Sequence, residues 1–177
     1  MQLTITPFGD AGVTVLPPDI VWNGFSGDFA VATVPADGGV GGLVSRNPYA
    51  TAVILLLFSD ARIDPNDLRF EMHGDRRGWI GDAFDLDTAN GEAPLGSLLW
   101  TYRRSTLNDR IASDIQAEAR RALQPLVGQG AAVRIDVSAT VEKAVGRVLL
   151  VVGIYGRDKR QLYAGKFDAL LRRADGL

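Results

Sequence analysis

The sequence predicts an α+β fold: an antiparallel β meander packed against a long amphipathic helix, with a loop-rich N-terminal arm. Three observations predict it. Leu107, Ile111, Ile115, Ala119, Ala122, Leu123, Leu126 and Val127 recur at helical spacing and form one apolar stripe. Val133, Ile135, Val137, Ala139 and Val141 then alternate with Arg134, Asp136, Ser138 and Thr140, the period of a half-buried strand. After that, Val148 to Tyr155 is apolar on both faces, with turn residues before it at Lys143 to Gly146 and after it at Gly156 to Lys159. Gln161 to Phe167 completes the meander, and a helix packed on one face is the natural way to close such a sheet.

The N-terminal arm, residues 1–47, holds only short signals. Leu3, Ile5, Val13 and Val15 alternate briefly, Pro17 and Pro18 break the pattern, and Phe29 to Val34 reads as a further strand. The glycines from Gly38 to Gly42 are not followed by the Lys-Ser/Thr pair that a phosphate loop requires, so they read as a flexible loop. A second region, residues 48–177, forms the α+β domain. Ala52 to Phe58 is a continuous apolar run that suits a buried strand or a buried helix. Asn47 followed by Pro48 fits an N-cap and first turn, which favours a helix of about three turns. Asp64 to Asp67 is a turn, Trp79 and Phe84 are expected to fill the core, and Asp85 to Pro94 is an exposed excursion. Leu95 to Trp100 returns to apolar packing. Thr106, with Asp109 three residues on, is expected to cap the long helix. Pro125 should bend or end it, and Gly128 and Gly130 should stop it. The tail from Asp168 reads as a helical turn or as disordered.

Composition narrows the function classes. With 46% apolar residues in 177 positions, the chain can bury a real core. A net charge of −2 gives no overall electrostatic grip on nucleic acid or membrane. Cysteine is absent, which removes disulfides and thiolate metal sites. No basic segment followed by an apolar stretch opens the chain, so no signal peptide is expected. The run Ala52 to Phe58 is too short to cross a bilayer.

Candidate chemistry is sparse. The one histidine, His73, lies near Asp75, but no nucleophile sits in a recognisable elbow. Zinc would have to be held by that histidine and carboxylates alone. Asp82, Asp85, Asp87 and Glu92 cluster around Phe84, and two of them at sugar-bond separation could hydrolyse a glycoside; the plainer reading is a solvated loop. Arg76-Arg77 and Arg103-Arg104 flank Trp79 and Trp100-Tyr102, a pattern that could stack bases. Each pair has acidic neighbours, so structural or interface arginines are preferred. No catalytic residue, cofactor or metal is expected.

The order of signals resembles a known family. Thr51 to Arg62, then Asp75-Arg76-Arg77-Gly78-Trp79-Ile80-Gly81-Asp82, then Gly96-Ser97-Leu98-Leu99-Trp100, then Ala119 to Val127 and an alternating strand resemble the Mu-like phage tail baseplate family. That family is similar to the small "lysozyme-like" wedge and sheath-initiator proteins of contractile tails. The resemblance covers about residues 50–155. Ile80 stands where a second aromatic is expected, and Ala132-Val133-Arg134 where the wedge proteins carry Glu-Pro-Arg, so Arg134 alone carries over. The resemblance makes Arg76, Arg77, Trp79, Asp82 and Trp100 the motif and core residues. It implies a virion protein, made in the host bacterial cytoplasm, that joins wedge, hub, tube and sheath proteins in a sixfold ring. Residues 131–167 are then expected to pair with strands of a sheath subunit, with Gln161, Tyr163, Lys166, Phe167 and Arg134 at the interface. The alternative is a peptidoglycan-degrading glycoside hydrolase using the acids of residues 82–92.

Overall fold

The computed structural model describes residues 20–22, 27–29, 48–68, 70–79, 81, 86–103 and 105–169. The chain divides into two compact units, Met1–Thr51 and Ala52–Leu177. In the first, β1 (Ile20–Trp22) and β2 (Gly27–Phe29) pair antiparallel with Ile20 opposite Phe29. The Ile20 N–H donates to Thr51 Oγ1 at 2.8 Å. The strand expected from Phe29 to Val34 shares only Phe29 with β2; its remainder, and the strands expected around Leu3 and Val13, lie outside the described residues.

The apolar run is a helix, α1 (Pro48–Phe58). Val53, Ile54, Leu56 and Leu57 are buried, as suits a helix that is apolar all round. Its exit is sealed by a buried serine. Ser97 Oγ donates to Leu57 O, the Ser97 N–H donates to Ser59 O at 2.9 Å, and Ser97 O accepts from Ala61 N–H at 2.9 Å. These bonds occupy carbonyls that a helix end would otherwise leave unpaired. The close approach needs Gly96, at φ +107°, because a Cβ there would stand 2.6 Å from Ser59 O.

The long helix is α2 (Asp109–Gly128). Its cap is Asn108, whose Oδ1 accepts the Ile111 N–H at 2.8 Å, in place of the expected Thr106. Pro125 does not end it; the helix runs three residues further, and Gly130, at φ +72°, turns the chain away. Ile115, Ala119, Ala122, Leu123 and Leu126 of the expected stripe are buried, as is Ala112, which was outside it, while Leu107, Ile111 and Val127 are half-buried.

Three strands follow: β3 (Arg134–Glu142), β4 (Arg147–Tyr155) and β5 (Gln161–Ala169), antiparallel in the order β3-β4-β5. The third strand is two residues longer than expected, so Asp168 and Ala169 belong to it and not to a tail. Val148, Leu150, Val152 and Ile154 are fully buried and form the inner face of the central strand. Each such side chain contributes about 1.5–3 kcal/mol when buried. Phe167 joins this face and meets Phe58 edge-on, with ring centroids 5.3 Å apart. The domain is therefore α+β, a meander packed on an amphipathic helix, as predicted. Among the described residues no helix is long and apolar enough to cross a membrane.

Candidate functional site

The two edges of the sheet are built differently. The alternation of β3 turns Val137 and Ala139 toward the core. The backbone groups of these same residues face away from β4 and toward α2. There the Ala139 N–H donates to Gln116 Oε1 at 3.3 Å, and Arg120 Nη2 donates to Val137 O at 3.5 Å. Two polar side chains of the helix thus reach round and occupy the outer edge of β3.

Among the described residues no side chain of α2 caps β5, an outer strand of the sheet, in this way. In an antiparallel ladder successive residues turn their N–H and C=O groups to opposite neighbours. Since Val137 and Ala139 face outward, Ser138 and its even-numbered neighbours pair with β4. The even residues of β4 then pair with β5, matching Leu150 to Phe167, Val152 to Gly165 and Ile154 to Tyr163. Ala164, Lys166 and Asp168 are left with main-chain groups pointing out of the sheet, while Leu162 is the extra residue at the register shift beside Ile154 and Tyr155.

This register sorts the expected interface residues by position. Phe167 is 2% exposed and lies in the core. Tyr163 is half-buried, folded over Gly165, and burial pushes its phenol above the ordinary value. Only Lys166 combines an exposed side chain with an outward backbone. Arg134 lies two strands away, its guanidinium 4.0 Å above the Tyr155 ring and 3.1 Å from Asp136. Gln161 reaches the same ring from the other side, its Nε2 donating to the Tyr155 hydroxyl at 3.5 Å. Arg134, Tyr155 and Gln161 form a row across the outer face, separate from the edge.

A second cluster surrounds the motif arginines. Arg77 donates to Asp60 from Nη1 and to Asp75 from its backbone N–H and Nε, and lies 4.8 Å above the Trp100 ring. The bond to Asp60 is the main cause of a raised Arg77 pKa, so this guanidinium stays charged. Trp100 is 7% exposed, and its indole N–H donates to Ala61 O at 3.0 Å. Arg103 stands 3.6 Å from the other Asp60 oxygen. An open cavity of about 740 Å³ lies here, walled by Met72, His73, Arg103, Thr106 and Ile111. Both nearby acids are engaged by Arg77, so neither Asp60 nor Asp75 is a free base for His73. Arg76 is tied to the backbone, Nε donating to Ile63 O at 2.9 Å. Trp79 does not fill the core as expected: its ring lies over Gly81 and is 58% exposed. Asp82 and Phe84 lie outside the described residues.

The acidic stretch also folds on itself. Asp87 caps the single turn Thr88–Asn90, and its own N–H donates to Glu92 Oε2 at 2.8 Å. Asp85 lies outside the described residues. Among the described residues no group of three or more metal-ligating side chains converges. One carboxylate was missed by reading α2 as a simple amphipathic stripe. Glu118, its side chain 10% exposed, accepts the Leu98 N–H at 2.6 Å and grips Arg121 through both oxygens at 2.7 and 2.8 Å. This bond holds Arg121 above its ordinary pKa.

Residues 49–161 match the family model described as phage protein GP46. The chain is also 30% identical over 121 residues to the Mu-like prophage FluMu protein gp46 of Haemophilus influenzae. That alignment covers 68% of this chain and 73% of the relative.

Proposed function

The chain belongs to the phage protein GP46 family, and from that membership we propose that it is a structural part of a contractile, phage-type tail baseplate and not an enzyme. In this reading it joins wedge and hub proteins beside the tail tube, in a sixfold ring, and gives the first sheath subunits a strand to pair with. It resides in the virion, is made in the host bacterial cytoplasm, and needs no cofactor, nucleic acid or membrane.

The observation that carries the reading is the unequal sheet. An open edge strand accepts another chain by main-chain pairing, and proteins that avoid such pairing cover their edges. Here α2 caps the edge of β3, and among the described residues it leaves the outward groups of Ala164, Lys166 and Asp168 uncapped. The engagement of Asp60 and Asp75 by Arg77, and of Asp87 and Glu92 by one turn, favours a structural use of these acids.

The test is assembly. Phage carrying Ala164→Pro keep the β4–β5 ladder but lose an outward donor and gain a steric block. The expected result is particles with tubes and no sheath by electron microscopy. Sheathed, infectious particles would refute strand pairing at this edge. Turnover of peptidoglycan by the purified protein, lost with Asp87→Asn or Glu92→Gln, would replace the structural reading with the hydrolytic one.

A further inference from the structure

Ile63 to Arg76 forms a closed loop with an aromatic residue at full exposure. The base is fastened twice: the Ile63 N–H donates to Arg76 O at 3.1 Å, and Arg76 Nε returns a bond to Ile63 O at 2.9 Å. Ile63, 4% exposed, roots the loop in the core. Within it, Asp64 caps one turn through the Asn66 N–H at 2.8 Å. A second turn closes from His73 N–H to Phe70 O at 3.1 Å, and Asp75 N–H bonds Met72 O at 2.9 Å. His73 and Arg77 have φ of +49° and +45°, a region that costs a side-chain-bearing residue energy and persists where the surroundings impose it. Asp75 Oδ1 holds the second of these by accepting the Arg77 N–H at 2.9 Å.

On this fastened loop Phe70 is 91% exposed. The His73 ring is 6.3 Å away and tilted by 56°, so it does not cover Phe70. A bare phenyl ring on a preorganised support is the form of an interface anchor: aromatic side chains dominate binding energy, and a loop already in shape loses little entropy on docking. The loop carries Asp64, Asp67 and Glu71 against Arg69 and Arg76, its fourth acid, Asp75, being paired with Arg77. That leaves a surplus of one negative charge. It opposes an anionic lipid surface, and it opposes a symmetric contact that would set the same acidic loop against itself.

We propose that Ile63–Arg76 is a docking finger that plants Phe70 in an apolar pocket, rimmed by lysine or arginine, on a different protein. The site is separate from the β5 edge and from the strand pairing assigned to it, so either can fail without the other.

The experiment places a photoreactive phenylalanine analogue at position 70 in chains assembling into phage particles, with the same analogue at Arg157, an exposed turn residue, as control. The expected result is one crosslink from position 70 to a second particle protein, absent from position 157 and mapped to an apolar pocket with a basic rim. That protein, purified, should bind the wild-type chain about 30-fold more tightly than Phe70→Ala, the size expected for an anchor residue. Phe70→Leu should recover part of the loss. Asp67→Lys with Glu71→Lys should weaken binding about 10-fold and reduce its salt dependence. Phe70→Ala should melt like wild type, since the ring covers little of its own chain. A crosslink only to another copy, co-sedimentation with phosphatidylglycerol vesicles lost in Phe70→Ala, or Phe70→Ala particles of normal infectivity without any crosslink would each overturn the proposal.

Discussion

The outer strands β3 and β5 flank the same central strand, yet among the described residues one edge is capped by α2 and the other is not. Both have nine residues, and both pair along most of their length with β4. The difference lies in what stands beside them. Gln116 and Arg120 of α2 supply an acceptor and a donor to Ala139 and Val137, so β3 is already paired on both sides over its middle. The outward groups of β5 receive no equivalent from α2. One amphipathic helix thus does two jobs: its apolar stripe builds the core, and two of its polar residues cap the outer edge of β3.

The sharpest way to break this comparison is to exchange neighbouring residues of β5 for proline. Tyr163 turns its N–H toward Ile154, so Tyr163→Pro removes a ladder bond, wedges a ring between strands and should cost about 3 kcal/mol or more. Ala164 turns its N–H outward, so Ala164→Pro should cost about 1 kcal/mol, the ordinary penalty of proline at an edge. Urea denaturation of both variants measures the gap. Equal losses would show that the outward and inward residues have been assigned in the wrong order.

The next effect concerns the helix that makes the edges unequal. Glu118→Ala leaves the Leu98 N–H and Arg121 without their acceptor at a nearly buried position, and should cost about 2 kcal/mol, most of it from the amide because Arg121 is half-exposed. Glu118→Gln keeps one acceptor and should cost about half as much. If both variants melt like wild type, α2 is held by its apolar stripe alone. Smaller still is the loss of the caps themselves. Gln116→Ala with Arg120→Ala should cost about 1 kcal/mol, since both bonds are long. Its clearer signature is a new concentration-dependent association in sedimentation, because β3 then becomes a second open edge.

Much of this arrangement was legible in the sequence, and the parts that were not share one cause. The stripe from Ile111 to Leu126, the alternation from Val133 to Val141 and the apolar block from Val148 state their own periods, so α2, β3 and β4 could be placed without tertiary information. Asn47-Pro48 chose helix over strand for α1 correctly. The cap could not be chosen the same way, because Thr106 and Asn108 are both cap formers and only the geometry of the entering chain decides which one meets the Ile111 N–H. Trp79 was expected inside because aromatics bury well, but Trp100 occupies the core and Trp79 covers Gly81. The expected interface residues lie apart from one another for a related reason. Tyr163 and Phe167 looked suited to a partner by their chemistry, whereas the edge is defined by backbone direction, which follows from the register against β4. Glu118 looked like one more polar residue on a wet face, and its role depends on the amide of Leu98, twenty residues earlier.

The smallest predicted effect tests the same register through a titration. If Tyr163 lies on the inner side of β5, its hydroxyl is shielded, and burial raises its pKa above the ordinary phenol value near 10. The folded chain then holds the phenol proton at a pH where the unfolded chain releases it. Stability contributed by the neutral phenol is complete below pH of about 10 and falls as pH rises through the higher folded value. Wild type should therefore lose stability in that alkaline window, and Tyr163→Phe should lose less. If Tyr163→Phe loses as much stability as wild type in that window, the Tyr163 hydroxyl is not shielded on the inner side of β5, and the assignment of inward and outward residues along that strand falls with it.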